Sequence, residues 1–224
     1  MKLGVLFSGG KDSTMTIYWC LKNNYPVKYL ITMIPKREDS WMYHTPNINL
    51  TTLLAEAIGI PIVTKETSGL KEEEVEDMKD FLKDLDIDTV ACGGFFSNYQ
   101  KSRIERVCKE LKLKFLAPFW QTNPENFLKE IISLGFDVRI IGVYSEGFDE
   151  TWLGRKLDEK TLHDLKELNQ KCGVNIVGEG GEYESLVLDG PIFKKRIKIV
   201  DSEKIWDEKT QSGYLKIKAK LTCS

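Results

Sequence analysis

The stretch Ser8-Gly9-Gly10-Lys11-Asp12-Ser13 constrains this chain more than any other. It follows an apolar run, Leu3 to Phe7, that reads as a buried strand. It precedes Thr14 to Leu21, in which Met15, Tyr18 and Leu21 fall on one helical face. Two glycines between a strand and a helix allow a tight turn and close approach of a ligand to the backbone. The unpaired N–H groups of the helix start, and the positive end of its dipole, point into that turn. Ser8 and Ser13 add hydroxyls and Lys11 a positive charge. Asp12 either caps the helix or holds a magnesium ion carried by phosphate. The turn is therefore an anion site on an α/β scaffold.

The remaining pattern extends that scaffold. Val27 to Ile34, Ile60 to Thr64, Thr89 to Cys92, Leu113 to Leu116 and Asp137 to Val143 are apolar runs of strand length. Helical spacing separates them. Asn47 is placed to cap a helix carrying Leu50, Leu53, Leu54, Ala57 and Ile58, which Gly59 ends. Val75, Met78, Leu82 and Leu85 mark a second helix, Ile104, Val107, Cys108 and Leu111 a third, and Phe127, Leu128, Ile131 and Ile132 a fourth. Strands alternating with helices predict a parallel sheet covered on both faces, with ligands at the carboxyl ends of its strands. The Ser8 loop, Met33 and Gly93 all fall at such ends. Past Val143 the pattern changes to a helix over Glu159 to Cys172. Strand-like runs follow at Asn175 to Val177, Ser185 to Leu188, Phe193 to Val200 and Tyr214 to Leu221. The expected division is a nucleotide-binding domain over 1–144 and a smaller α+β domain over 145–224.

Composition narrows the function classes. The 224 residues are 42% hydrophobic, enough for a full core, yet no apolar stretch is long enough to span a membrane. Met1-Lys2 leads straight into a strand, which points to a cytoplasmic protein without a signal peptide. The five cysteines form no Cys-x-x-Cys pair, which argues against a zinc site or a disulfide framework; four of them read as buried free thiols. A net charge of -2 gives no general attraction to nucleic acid.

Three further clusters carry polar chemistry. In the first, Gly93 leads to Tyr99, Gln100 and Arg103, with Tyr99 and Arg103 one helical turn apart. The residues alone leave this open between a capped, solvated helix and a carboxylate or phosphate grip. In the second, Gly147 and Gly154 bracket Glu150 and Trp152, with Arg155 directly after them, as either a linking turn or a pocket wall. In the third, Gly178-Glu179-Gly180-Gly181-Glu182-Tyr183-Glu184 crowds three acids and three glycines beside a strand. Stacked carboxylates are costly without a cation, so this segment reads as a site rather than a solvated loop.

The Ser8 loop is not a Walker A loop, which needs four residues between its first glycine and its Gly-Lys pair. It resembles the PP-loop of the N-type ATP pyrophosphatases, whose domain is Rossmann-like (HUP-like). Taken with the other three clusters, in order and over nearly the whole chain, it resembles the diphthine–ammonia ligase family, with the Glu179 to Glu184 motif the discriminating piece. The resemblance implies an enzyme that uses ATP and Mg2+ to adenylate the carboxylate of diphthine on elongation factor 2, after which ammonium displaces AMP. It implies that Ser8, Gly9, Gly10, Lys11, Asp12, Ser13, Met33 and Gly93 bind nucleotide, with Asp12 at the metal. Glu179, Glu182, Glu184 and Arg103 would act in catalysis. Tyr99, Gln100, Glu150, Trp152, Arg155 and Tyr183 would hold the acceptor, whose trimethylammonium group suits aromatic faces and carboxylates. Lys11 would offset phosphate charge or point to solvent. A homodimer is left open. The competing readings are a tRNA-modifying PP-loop enzyme and a nucleotide-binding module without catalysis.

Overall fold

The computed structural model describes residues 1–36, 47–70, 72–94 and 98–222. The alternation seen in the sequence becomes β1 (Leu3–Leu6), α1 (Lys11–Lys22), β2 (Val27–Pro35), α2 (Thr51–Ile58), β3 (Ile62–Thr67), α3 (Glu73–Lys83), β4 (Thr89–Ala91), α4 (Asn98–Glu110) and β5 (Lys114–Leu116). The strands form a parallel sheet in the order β3-β2-β1-β4-β5. The order reverses between β1 and β4, and a crevice opens there at the carboxyl ends of the strands. The Ser8 loop leaves β1 at that point.

The rest of the chain builds α5 (Pro124–Ser133), β6 (Asp137–Val143), α6 (Glu159–Cys172), β7 (Tyr183–Asp189), β8 (Arg196–Asp207) and β9 (Ser212–Thr222). The last four strands form an antiparallel sheet in the order β7-β6-β9-β8. Asp137–Val143 therefore belongs to the second sheet and not, as its spacing suggested, to the parallel one. Its side chains are buried on both faces: Val138, Ile140 and Val143 join the core under α5 and α6, and Ile141 joins the core under α1 and α2. A strand of that kind is continuously apolar in either sheet, so its hydrophobicity does not say which. Asn175 to Val177 forms no strand and belongs to the loop before β7.

The layers run α3/α4, parallel sheet, α1/α2, antiparallel sheet, α5/α6. Helix α1 is thus enclosed between two sheets, with Met15 in one core and Ile17 and Cys20 in the other. Each such fully buried aliphatic side chain contributes about 1.5–3 kcal/mol, and here the stabilisation falls on the helix that carries the loop. Asn47 does not cap α2. It adopts a left-handed φ of 63°, and its amide clips β9 instead, donating to the Leu215 carbonyl at 2.8 Å and accepting from the Ile217 N–H at 2.8 Å. Gly59 ends α2 at φ 79°, as its position predicted.

Among the described residues no helix is long and apolar enough to cross a membrane. Cys20, Cys92 and Cys108 are buried, and burial pushes their thiols up to about 12, 11 and 12. Cys172, expected to be buried, is exposed because it closes α6. Cys223 lies outside the described residues.

Candidate functional site

The loop after β1 is shaped by its glycines and held from the second sheet. Gly9 has φ +83°, a conformation that L side chains rarely adopt. Gly10 caps α1 without any side-chain hydrogen bond, so the capping of this helix falls to other groups. The Gly10 N–H donates to Ser8 Oγ at 3.4 Å, and Ser13 Oγ donates to the Gly10 carbonyl at 3.2 Å. Two bonds then cross from β7: the Lys11 N–H donates to Ser185 Oγ at 3.2 Å, and the Val187 N–H donates to the Gly9 carbonyl at 3.0 Å. The anion loop and the strand after the acidic motif are thus one hydrogen-bonded unit.

Lys11 does not point to solvent. Its side chain is 3% exposed, with Nζ 3.0 Å from Asp12 Oδ2 and 5.0 Å from the centroid of the Tyr183 ring. Burial works to lower its pKa, but Asp12 and the nearby Tyr183 and Glu184 outweigh it, and the lysine is held firmly protonated. Asp12 is shifted upward, first by burial, with Lys11 opposing and Glu179 and Glu184 adding to the rise. Asp12 does not cap α1. Its Oδ1 is sealed from solvent and has no hydrogen-bond partner, while the side chain as a whole opens onto the cleft. A carboxylate oxygen without a partner, on a loop that also carries the Ser8 and Ser13 hydroxyls, is chemistry that suits a hard cation. Among the described residues no group of three or more His, Cys, Asp or Glu is arranged to hold a metal alone. The fit is therefore to an ion that brings phosphate oxygens with it.

A cleft of about 500 Å³ opens over the loop, within the range of small-molecule sites. Of the expected residues it is lined by Ser8, Gly10, Lys11, Asp12, Ser13, Met33 and Gly93 on the nucleotide side, and by Gln100, Glu179, Tyr183 and Glu184 opposite. Gly9 lies beneath, packed on Leu54 and Leu186. Gly93 fits because α1 runs directly against it: a Cβ there would sit 2.6 Å from the Asp12 carbonyl carbon.

Several expected residues lie elsewhere. Both Glu182 oxygens serve their own loop, accepting from the Asn175 N–H at 3.1 Å and the Gly180 N–H at 2.8 Å. Arg103 turns to α3 and pairs with Glu72. Trp152 is buried in the core under α5 and α6, edge-on to Phe148. Arg155 stacks on Trp152 with its guanidinium carbon 4.1 Å from the ring centroid, pairs with Asp164, and lines a separate surface hollow. The Glu150 carbonyl accepts from Lys204 Nζ at 3.0 Å, away from the cleft. Tyr183 lines the cleft but is buried; its hydroxyl donates to the Ile176 carbonyl at 2.9 Å, and burial pushes its pKa up to about 12. The side chain of Tyr99 lies outside the described residues.

The cleft is also lined by Lys101 and Ser185, which lie within the first and third clusters without an assigned role, and by Cys92 and Trp120, which lie outside all the clusters. A usable signal existed for Trp120, which follows the carboxyl end of β5, where parallel sheets place ligands.

Glu182→Gln is expected to lower the melting temperature by the equivalent of about 1–2 kcal/mol, because one amide oxygen cannot accept both backbone N–H groups as a carboxylate does. Glu184→Gln, at a residue that lines the cleft, is expected to lose turnover. Thermal denaturation beside AMP formation separates the two. A Glu182→Gln protein of unchanged stability and lost turnover would return Glu182 to the chemistry.

Comparison with known proteins identifies the family. The family model for the diphthamide synthase N-terminal domain matches residues 1–115, and that for the diphthamide synthase C-terminal domain matches residues 123–222. The diphthine–ammonia ligase of Homo sapiens is 36% identical over 228 residues, covering 92% of this chain and 85% of that protein. The protein of the same name from Schizosaccharomyces pombe is 34% identical over 240 residues, covering 98% of this chain and 39% of the longer relative. A solved structure titled a predicted subunit of a tRNA methyltransferase, from Methanocaldococcus jannaschii, has a TM-score of 0.46 at 17% identity over 85% of this chain and 100% of its own, too distant to carry an argument. The two family models together cover most of the chain, with Ala117 and Trp120 of the cleft lining falling between them, and the chain belongs to the diphthamide synthase family.

Proposed function

We propose that this chain is a diphthine–ammonia ligase that forms AMP. The observation that carries the reading is the joining of the Ser8–Ser13 loop to the acidic motif in one cleft, through the Lys11 N–H to Ser185 Oγ bond of 3.2 Å. A carboxylate does not react with ammonia at neutral pH, because its oxygen is too poor a leaving group. In the first step a carboxylate oxygen of diphthine attacks the α-phosphorus of ATP, and the bond to pyrophosphate breaks. In the second, ammonia attacks the acyl carbon and the bond to AMP breaks, with a proton released from the nitrogen.

The chain's own groups divide this work. The loop amides, Ser8 and Ser13 hold the leaving pyrophosphate, as helix starts hold phosphate generally. Lys11 supports Asp12 from behind. Asp12, together with the phosphates, would hold Mg2+, which would supply charge neutralisation there. Met33 and the apolar wall beside it face the adenine. Glu179 and Glu184 lie across the cleft, where an ammonium ion would lose its proton. The parallel sheet carries the nucleotide. The antiparallel sheet, with Asp137–Val143 in its interior, closes the cleft with the acidic loop, so the working division falls before α5 rather than at 144. The protein partner is elongation factor 2 carrying diphthine.

The test follows AMP from α-labelled ATP with Mg2+, ammonium and diphthine-bearing elongation factor 2, omitting one component at a time. AMP that requires both factor and ammonium is the expected result. ATP that binds and returns unchanged with every component present would overturn the reading.

A further inference from the structure

The cleft has two unlike ends. On the β2 side the wall is Ile31, Met33 and Ile48, an apolar surface suited to a flat base. On the β4–β5 side it is Gln100, Lys101 and Trp120, from the first turn of α4 and the turn after β5. Lys101 Nζ lies 4.2 Å from the centroid of the Trp120 ring, well within the distance at which an indole face attracts a cation. The ammonium is otherwise loosely held, with Glu105 at 3.8 Å. Glu179 lines the same cleft.

Among the described residues, other aromatic rings of the cleft and of the sequence motifs are otherwise engaged. Trp152 is in the core, and Phe7 and Tyr183 are buried in the cleft floor, Tyr183 beneath Lys11. Trp120 is the half-buried aromatic ring that lines the cleft among the described residues. A cation already seated on it marks a face where positive charge is favourable.

We propose that Trp120 and Lys101 form the acceptor end of the cleft, the indole face taking the quaternary ammonium of the substrate and the Lys101 ammonium its carboxylate. This rests on the ligase reading, whose acceptor bears both groups. On binding, Lys101 follows the carboxylate off the ring, and the trimethylammonium takes the place that the amine has left. The carboxylate is thereby held on the β4 side of the loop, where the α-phosphate would be met from the end opposite the base.

The test measures KM for the diphthine-bearing factor and for ATP separately, in the full chain and in Trp120→Ala, Trp120→Phe and Lys101→Met. Trp120→Ala is expected to raise the acceptor KM about tenfold or more and leave the ATP KM within about twofold. Trp120→Phe, which keeps a weaker aromatic face, is expected to stay within about threefold of the parent. Trimethylglycine, with both charges, should compete with the acceptor in the parent and lose at least part of this in Lys101→Met, whereas choline, which lacks the carboxylate that draws Lys101 off the ring, should compete better in Lys101→Met than in the parent. If Trp120→Ala does not fold, the trimethylglycine and choline comparison decides alone. An unchanged acceptor KM in Trp120→Ala, or a parallel rise in both KM values, overturns the proposal while leaving the ligase reading intact. A parent enzyme that makes no AMP with the factor overturns the ligase reading and this proposal with it.

Discussion

Gly93→Ala is expected to cut AMP formation by about a hundredfold, the scale on which misplacement of a reacting group by an ångström acts. A Cβ at this position would sit 2.6 Å from the carbonyl carbon of Asp12, 2.7 Å from its oxygen and 2.9 Å from the Ser13 nitrogen. All three atoms are backbone of the first turn of α1, so no side chain can rotate away. Strand β4 is fixed between β1 and β5, with Ala91 in register with Val5 and Leu116, so the strain passes to the loop. Forced overpacking of this kind also costs about 1–3 kcal/mol of stability. Gly94→Ala is the control, since no described atom lies within 4 Å of a Cβ there. Equal AMP formation in the two variants would mean that the helix start has slack, and that the fit at Gly93 is not what seats the loop.

Lys11→Met is expected to move the acid limb of the activity profile to higher pH. In the parent, burial raises the Asp12 pKa and the Lys11 charge opposes that rise, while Glu179 and Glu184 add to it. Removing the lysine removes the opposing charge, so Asp12 binds its proton at a higher pH and is a carboxylate over a narrower range. Its loss of function should therefore be largest at low pH and partly recovered as the pH is raised. Loss of a group that supports a metal-binding carboxylate typically costs about 10–100-fold in metal affinity, so the Mg2+ requirement should rise by a similar factor. Breaking a buried ion pair costs about 3–5 kcal/mol, and here the lower figure applies because Asp12 opens onto the cleft. Activity measured against pH at saturating Mg2+, and against Mg2+ at fixed pH, reads both effects. A variant with an unmoved acid limb would show that Lys11 is only a packing group.

The sequence by itself determined the elements that rest on local signals. A strand, two glycines and a helix start, with Ser8, Lys11 and Ser13 around them, are legible as an anion site because the turn geometry is set by residues within a few positions of one another. Alternating strands and helices likewise predict a parallel sheet with ligands at its carboxyl ends, and the cleft accordingly contains the loop, Met33, Gly93 and residues of the acidic motif. Apolar periodicity states that a side chain is buried but not what covers it. For that reason only the tertiary structure assigned Asp137–Val143 to the antiparallel sheet and turned Asn47 from a helix cap into a clip on β9. It also separated carboxylates that are neighbours in sequence: on β7 and its approach, Glu182 bonds its own loop while Glu184 lines the cleft. It exchanged one tryptophan for another, burying Trp152 under α5 and α6 and leaving Trp120 at the carboxyl end of β5 in the cleft. Charge and aromaticity are legible in a sequence because they belong to single residues. The direction in which they face depends on contacts between segments a hundred residues apart, and those are settled only when the two sheets close on α1.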